Sequence, residues 1–244
     1  GTVKSNQIQV SVGKKAEVND IKLKGVDEGS TTLQVTIDQG VNEYNLSCIG
    51  AETNPQFKVI TNNSDVIEPT VSGSLLKING VKSGRASLKI TETTTEKVRY
   101  LGVRVKTAAG ELPGMPDYLS VGSVSEDMEA DLNFWRDFDS DLSNKRMDIR
   151  YIYLNGGPEY GWTTWGSGGG SRAVSFIRES LKLGMIPFFV YYNIPDGAES
   201  YNTDKEHMQS QDYMEAYFQD LKLALDVARE EAGDEKVGFV LEPD

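Results

Sequence analysis

Acidic residues follow two apolar, strand-like segments, residues 186–192 and residues 237–241. They are Asp196 and Glu199 after the first segment, and Glu242 and Asp244 after the second. Glycoside hydrolysis needs two carboxyl groups that flank the scissile bond, one of them protonated. The pattern therefore predicts hydrolysis of a glycosidic bond, provided that both segments end at the same edge of one sheet.

A glycine-rich segment, residues 155–170, follows another strand-like run and carries three large aromatic residues. They are Tyr160, Trp162 and Trp165. Exposed aromatic rings on a loop suit stacking against the apolar C–H faces of sugar rings. The same rings also suit the simpler task of anchoring the loop to the rest of the domain. The sequence leaves both interpretations open.

Two short motifs lie at the ends of the acidic segments. Residues 191–196 read Tyr-Tyr-Asn-Ile-Pro-Asp, and residues 240–244 read Val-Leu-Glu-Pro-Asp. Together they resemble motifs of glycoside hydrolase family 6, whose members are cellulases with a distorted barrel. The resemblance implies inverting hydrolysis of a β-glucan, with Asp244 as the general acid and Tyr192 crowding the sugar ring. It also implies that Asp196 orders its loop.

The chain departs from the family pattern at two positions, and it also lacks the family's disulfide cysteine. Asn193 replaces an aspartate, and Ala198 occupies the position of the auxiliary aspartate that keeps the acid protonated. Glu199 takes over that role only if the loop shifts. We expect the catalytic base in the remainder of the barrel, C-terminal to Asp244, so that residues 1–244 alone are inactive. Asn193 and Asp196 join the three aromatic residues as candidate substrate-binding residues.

Other functions fit the same residues. Many retaining barrel glycosidases carry their acid/base glutamate in an Asn-Glu-Pro motif; Glu242 fits this pattern, but Leu241 stands where the asparagine belongs. A non-catalytic glycan-binding surface protein would explain Ala198. A surface scaffold, in which the second half of the chain only mediates assembly, is the third alternative.

The elements that position these residues lie in the second half of the chain. From residue 117, strand-like segments at 118–121, 149–154, 186–192 and 237–241 alternate with helical segments. We predict helices opened by the capping-box residues 123–126, and over residues 171–183 and 211–232. Alternation of this kind is typical of βα units and a parallel sheet. The alternation therefore predicts that residues 117–244 form the first half of a βα barrel, and the family resemblance implies that this barrel is glycoside hydrolase-like.

The first half of the chain has short segments of alternating apolar and polar residues, separated by turn-forming residues. Residues 84–90, followed by residues 102–105, resemble the last strands of bacterial Ig-like domains, which usually serve as spacers. The predicted fold class is multidomain. An N-terminal all-β Ig-like sandwich (1–107) and a linker (108–116) precede a C-terminal α/β partial TIM-like barrel with four βα strands (117–244).

Charge and residue composition limit the classes of partner that this protein can bind. The net charge is −12, and the acidic excess lies in the second half, which disfavours nucleic acid and suits a neutral polysaccharide or oligosaccharide. No run approaches the roughly 20 apolar residues of a membrane span. With one cysteine and one histidine, we predict no metal site, no cofactor and no Ser-His-Asp triad, and place His207 in a solvated loop. We expect a secreted, cell-surface or periplasmic protein that takes part in polysaccharide degradation.

Overall fold

The computed structural model describes residues 19–138, 147–197 and 200–243. These residues form twelve strands and four α-helices, and the strands are arranged in three sheets of four strands each. Two sheets lie in the first half of the chain and one in the second.

Eight of these twelve strands lie in the described part of the first half. They are β1 (Ile21–Leu23), β2 (Thr32–Thr36), β3 (Asn42–Cys48), β4 (Phe57–Thr61), β5 (Ile67–Ser72), β6 (Leu75–Gly80), β7 (Gly84–Glu92) and β8 (Val98–Lys106). The first sheet has the order β1-β3-β6-β5 and is antiparallel throughout. The second has the order β2-β8-β7-β4 and is mixed, because β2 pairs in parallel with β8.

One apolar core lies between these two sheets. Alternate residues of each strand point into it, as the period of two in a strand requires. The core includes Ile21, Leu46, Leu76 and Ile78 from the first sheet, and Leu88, Ile90, Val103 and Val105 from the second. Ser87 and Arg104 are fully buried as well, although they alternate with core residues. The outer face of β7 and β8 is therefore covered too.

The second half forms a parallel sheet with helices. Its elements are β9 (Gly122–Val124), α1 (Glu129–Arg136), β10 (Ile149–Asn155), α2 (Ser171–Lys182), β11 (Ile186–Tyr192), α3 (Tyr201–Gln209), α4 (Gln211–Ala232) and β12 (Gly238–Leu241). The strand order is β9-β10-β11-β12, and all pairs are parallel. Helices α2 and α4 pack on one face, where Leu154 and Phe189 contact a second apolar core. On the opposite face Tyr153 and Val240 remain exposed.

The last turn of α2 lies on the second sheet and joins the two halves of the chain. Its terminal carbonyls lack helical partners, as at every helix end, and side chains of the β part supply donors. Ser87 Oγ donates to Lys182 O (2.5 Å), Arg104 Nη2 to Leu181 O (3.1 Å) and Asn62 Nδ2 to Leu183 O (3.1 Å), which is the residue after the helix. The guanidinium of Arg104 also pairs with Glu235 (2.7 Å), and both side chains are buried.

The predicted fold class, an Ig-like sandwich plus a partial TIM-like barrel, is wrong. The described residues form a mixed-sheet assembly with four helices. One β sheet is mixed rather than antiparallel, and the parallel sheet is open, with β9 and β12 at its edges. Strand periodicity indicates which residues are extended but not which strands pair, so the pattern could not specify these architectures. The division of the chain at residues 108–116 stays a prediction.

Individual elements were predicted with mixed success. The helices predicted over 171–183 and 211–232 are observed as α2 and α4. The strand predicted at 118–121 is observed directly after those residues, at Gly122–Val124 (β9). The predicted capping box at 123–126 does not cap α1, which begins at Glu129 without a side-chain cap. Helix α3 was not predicted, because it contains no buried residue and so shows no apolar periodicity. In the part of the chain that the structure describes, no helix combines the length and apolarity needed to cross a membrane.

Candidate functional site

Three neighbouring strands end at the same edge of the parallel sheet. The register aligns Asn155 of β10 with Tyr192 of β11, and Tyr191 with Leu241 of β12. Glu242 directly follows β12 and therefore lies beside Tyr192. We call Asn155, Tyr192, Asn193 and Glu242 the strand-end site. Carboxyl ends of parallel strands are a common location of ligand sites in open α/β sheets.

Glu242 anchors the loop that follows β11. Its carboxylate accepts hydrogen bonds from the backbone N–H of Asn193 (3.0 Å, Oε1) and of Ile194 (3.2 Å, Oε2). Its own N–H donates to Tyr191 O (2.9 Å). Burial, with the nearby charge of Glu242, raises the pKa of Tyr217. Glu242 has φ +41°, which is unusual for a residue other than glycine. These contacts hold the backbone in that conformation.

The loop after β11 is bound on its other side by helices. Asn193 is fully buried, and its amide nitrogen donates to Leu154 O (2.9 Å). Tyr213 of α4 donates its hydroxyl to Asn193 O (2.7 Å). His207 Nδ1 lies 2.6 Å from Ile194 O. The prediction of a solvated loop histidine is therefore wrong: His207 lies in α3, and its side chain is 17% exposed.

A buried carboxylate, Asp220 of α4, lies behind the strand-end site. One oxygen, Oδ2, accepts hydrogen bonds from Trp162 Nε1 (2.7 Å) and from the Tyr191 hydroxyl (2.7 Å). The other, Oδ1, is buried and has no hydrogen-bond partner among the described residues. Burial raises the pKa of Asp220, and the two hydrogen bonds partly oppose that shift. Burial, with the contact to Asp220, likewise raises the pKa of Tyr191.

The three aromatic residues of the glycine-rich loop differ in exposure. Trp162 is completely buried against Asp220, so for this residue the anchoring interpretation describes the structure. Tyr160 is 83% exposed and Trp165 is 37% exposed, and both remain available to a ligand. The tight turn between them requires a glycine, since a Cβ on Gly161 would lie 2.3 Å from Asn155 O. Burial of Trp162 therefore holds a loop that presents two other rings.

The predicted residues are distributed as follows. Tyr192, Asn193 and Glu242 lie at the strand-end site, and Asp196 is exposed on the loop beyond them. Asp244 and Glu199 lie outside the described residues, so their roles stay predictions. The sequence analysis did not identify Asp220, Tyr213 or the contact of His207 with Ile194. The only sequence signal for Asp220 and Tyr213 is their position in the amphipathic segment that forms α4. Within residues 19–138, 147–197 and 200–243, no group of three or more His, Cys, Asp or Glu side chains is arranged to hold a metal ion.

Comparisons with known proteins give weak similarities. No protein-family model and no curated protein matches the sequence. Domains 4 and 5 of the S-layer protein SbsC share 19% identity over 35% of this chain and 50% of theirs, with a TM-score of 0.27. A family 39 glycoside hydrolase from the gut symbiont Bacteroides cellulosilyticus WH2 shares 16% identity over 91% of this chain and 43% of its own, with a TM-score of 0.29.

The M1 domain from titin is similar over 32% of this chain, with 12% identity and a TM-score of 0.20. This chain spans half or less of the S-layer chains that it matches. At such scores the similarities support neither a shared fold nor a shared function.

Proposed function

We propose that this protein binds a neutral β-glucan, such as a cellulose-like oligosaccharide, at the strand-end site and hydrolyses it with inversion. The observation that supports the proposal is that Tyr192 and Glu242 lie at the ends of neighbouring strands, at one edge of a parallel sheet and beside a loop that exposes Tyr160 and Trp165. The exposed aromatic faces of Tyr160 and Trp165 suit a ligand with apolar C–H faces. The acidic chain suits an uncharged ligand.

Each residue has a role in this proposal. Asp244, two residues beyond Glu242, protonates the leaving oxygen as the glycosidic C–O bond breaks, and a base activates the water that attacks from the opposite face. Tyr192 packs against the sugar at the cleavage point. Glu242 holds the loop that carries Asn193. Because polymeric glucans lie outside cells, the proposal includes a secreted or cell-surface location.

The retaining alternative has less support. A glutamate that serves as acid and base must direct a carboxyl oxygen toward the substrate. Both Glu242 oxygens already accept backbone hydrogen bonds, from Asn193 and from Ile194. The same observation favours a second candidate function, a non-catalytic glycan-binding protein, because it leaves Glu242 with a structural task.

Hydrolysis of soluble β-glucans by the natural full-length protein, and binding of cello-oligosaccharides to it by calorimetry, test the proposal. We expect Asp244→Asn to lower turnover by about 100-fold or more and to leave affinity unchanged. The double variant Tyr160→Ala/Trp165→Ala should weaken binding about tenfold, whereas Leu119→Ala, at another highly exposed apolar residue, should not. Binding without turnover would favour the non-catalytic candidate. Absence of both from the wild-type protein would overturn the proposal.

A further inference from the structure

All four backbone polar groups of the segment Asn193–Ile194 are bound by side chains. Both N–H groups donate to Glu242. The carbonyl of Asn193 accepts from Tyr213, and the carbonyl of Ile194 accepts from Tyr213 (3.1 Å) and from His207. The segment lies beyond the ladder of β11, so its position depends on side chains from three other parts of the chain.

His207 and Tyr213 form one unit. Their rings are stacked with centroids 3.9 Å apart and planes 3° from parallel. Because a carbonyl oxygen offers only lone pairs, Nδ1 of His207 must carry the proton in the contact with Ile194. Burial, with the nearby charge of Asp196, raises the pKa of Tyr213, so its hydroxyl stays protonated and donates. Two donors fixed by one stack thus face two successive carbonyls.

We infer that His207 and Tyr213 are positioning residues of the strand-end site, which hold the carbonyls of Asn193 and Ile194 while Glu242 holds the N–H groups. We call His207, Tyr213 and Glu242 together the clamp. The clamp fixes the backbone immediately after Tyr192, where Asn193 is buried. Its effect on a glycan ligand rests on the proposed function, but the clamp itself does not. His207 thereby acts on the ligand only through the segment that it holds.

A purely structural role would need only the stack. Helix α3 has no buried residue, and the contact of the two rings by itself would attach it to α4. Only the positioning role requires the polar atoms, which are Nδ1 of His207 and the hydroxyl of Tyr213. His207→Phe keeps a flat ring for stacking and removes the donor. Tyr213→Phe removes the hydroxyl, and His207→Asn restores a donor near the position of Nδ1.

Amide hydrogen exchange measured by NMR tests the clamp directly. His207 is the single histidine of the chain, so its imidazole signals are assigned at once and should show a proton on Nδ1. We expect His207→Phe and Tyr213→Phe to speed exchange of the Asn193 and Ile194 amides about tenfold, with partial recovery in His207→Asn. Met208→Ala, at an exposed neighbour on α3, is the control and should leave both rates unchanged.

Binding of cello-oligosaccharides to the same variants completes the test. His207→Phe should weaken binding about tenfold, and Met208→Ala should not. Unchanged exchange at Asn193 and Ile194 would overturn the inference, as would an equal acceleration at the core amide of Leu88, which would mark loss of global stability. Faster exchange confined to the segment, together with no glucan binding by the wild-type protein, would support the clamp and overturn the proposed function.

Discussion

Asp220 lies on α4 behind the strand-end site and links three elements through one oxygen. Trp162 from the loop after β10 and Tyr191 from β11 both donate to it. A carboxylate buried to this degree is costly to ionise unless hydrogen bonds compensate. Two bonds reach Oδ2, but Oδ1 has no partner among the described residues. The raised pKa of Asp220 follows from this incomplete compensation.

The raised pKa predicts how stability changes with pH. The folded protein retains the proton on Asp220 at pH values where the unfolded chain has released it, so this residue contributes stability at acidic pH that is lost as the pH rises. The free energy of unfolding of the wild type should therefore fall relative to that of Asp220→Asn above a pH of about 4, the ordinary pKa of aspartate. Urea denaturation of both proteins from about pH 4 to about pH 7 measures the difference.

Asp220→Asn is a suitable comparison because its side chain has nearly the same shape and does not titrate. Asp226→Asn, at a partly exposed position on the same helix, controls for the loss of one charge from α4. The pKa of Asp226 is lowered instead, because its hydrogen bond to Lys222 outweighs the opposing effect of burial. A wild-type stability that stays parallel to that of Asp220→Asn over the whole pH range would contradict the prediction.

At the scale of elements, the loop between β10 and α2 combines a fixed part with an exposed part. Trp162 lies in a short 3₁₀ turn and is buried, whereas Tyr160 and Trp165 extend into solvent. Glycines on both sides allow the close approach of the chain at Gly161. Trp162 therefore fixes the position of the loop, and Tyr160 and Trp165 form its ligand-accessible surface.

Loss of the indole N–H should release this loop. Trp162→Phe keeps an aromatic ring but leaves Oδ2 of Asp220 with one donor fewer, which should cost about 1–3 kcal/mol of unfolding free energy. The same change at the partly exposed Trp165 should alter stability by no more than about 0.5 kcal/mol. Denaturant titrations followed by circular dichroism compare the two variants. Equal effects at both positions would show that the hydrogen bond to Asp220 does not anchor the loop.

At the scale of the whole molecule, α2 belongs to both halves. It covers the parallel sheet with Phe176 and Ile177, and its last turn lies against β8. The approach is so close that a Cβ on Gly102 would lie 2.0 Å from Leu181 O. Polar bonds from Ser87 and Arg104 complete this contact. We therefore expect the two halves to unfold together.

Gly102→Ala tests this coupling. The added methyl group forces α2 away from β8 and should reduce the unfolding free energy by about 1–3 kcal/mol. Gly114→Ala, where a Cβ meets nothing within 4 Å, is the control and should be nearly neutral. Calorimetry should show one transition for the wild type and a less cooperative one for Gly102→Ala. Two separate transitions in the wild type would contradict the coupling.

Local patterning was enough to predict several elements and the sheet edge at which two of the acidic segments end. The apolar period of 3.6 residues predicted α2 and α4, and the run at 186–192 predicted β11, because these signals arise from burial of one face within a short segment. The alternation of strands and helices predicted the parallel sheet. Since parallel strands share one carboxyl edge, it also predicted that Tyr192 and Glu242 would lie together.

Other features depend on segments far apart in the chain, and the sequence could not reveal them. The parallel pairing of β2 with β8 and the contact of Arg104 with Leu181, 77 residues away, arise from tertiary packing. Packing also buried Trp162 and placed His207 in a helix without an apolar face. Tertiary packing also placed the Glu242 carboxylate against the backbone N–H groups of Asn193 and Ile194. Short-range periodicity records which residues avoid water, whereas partners for buried polar groups are set by the assembled fold.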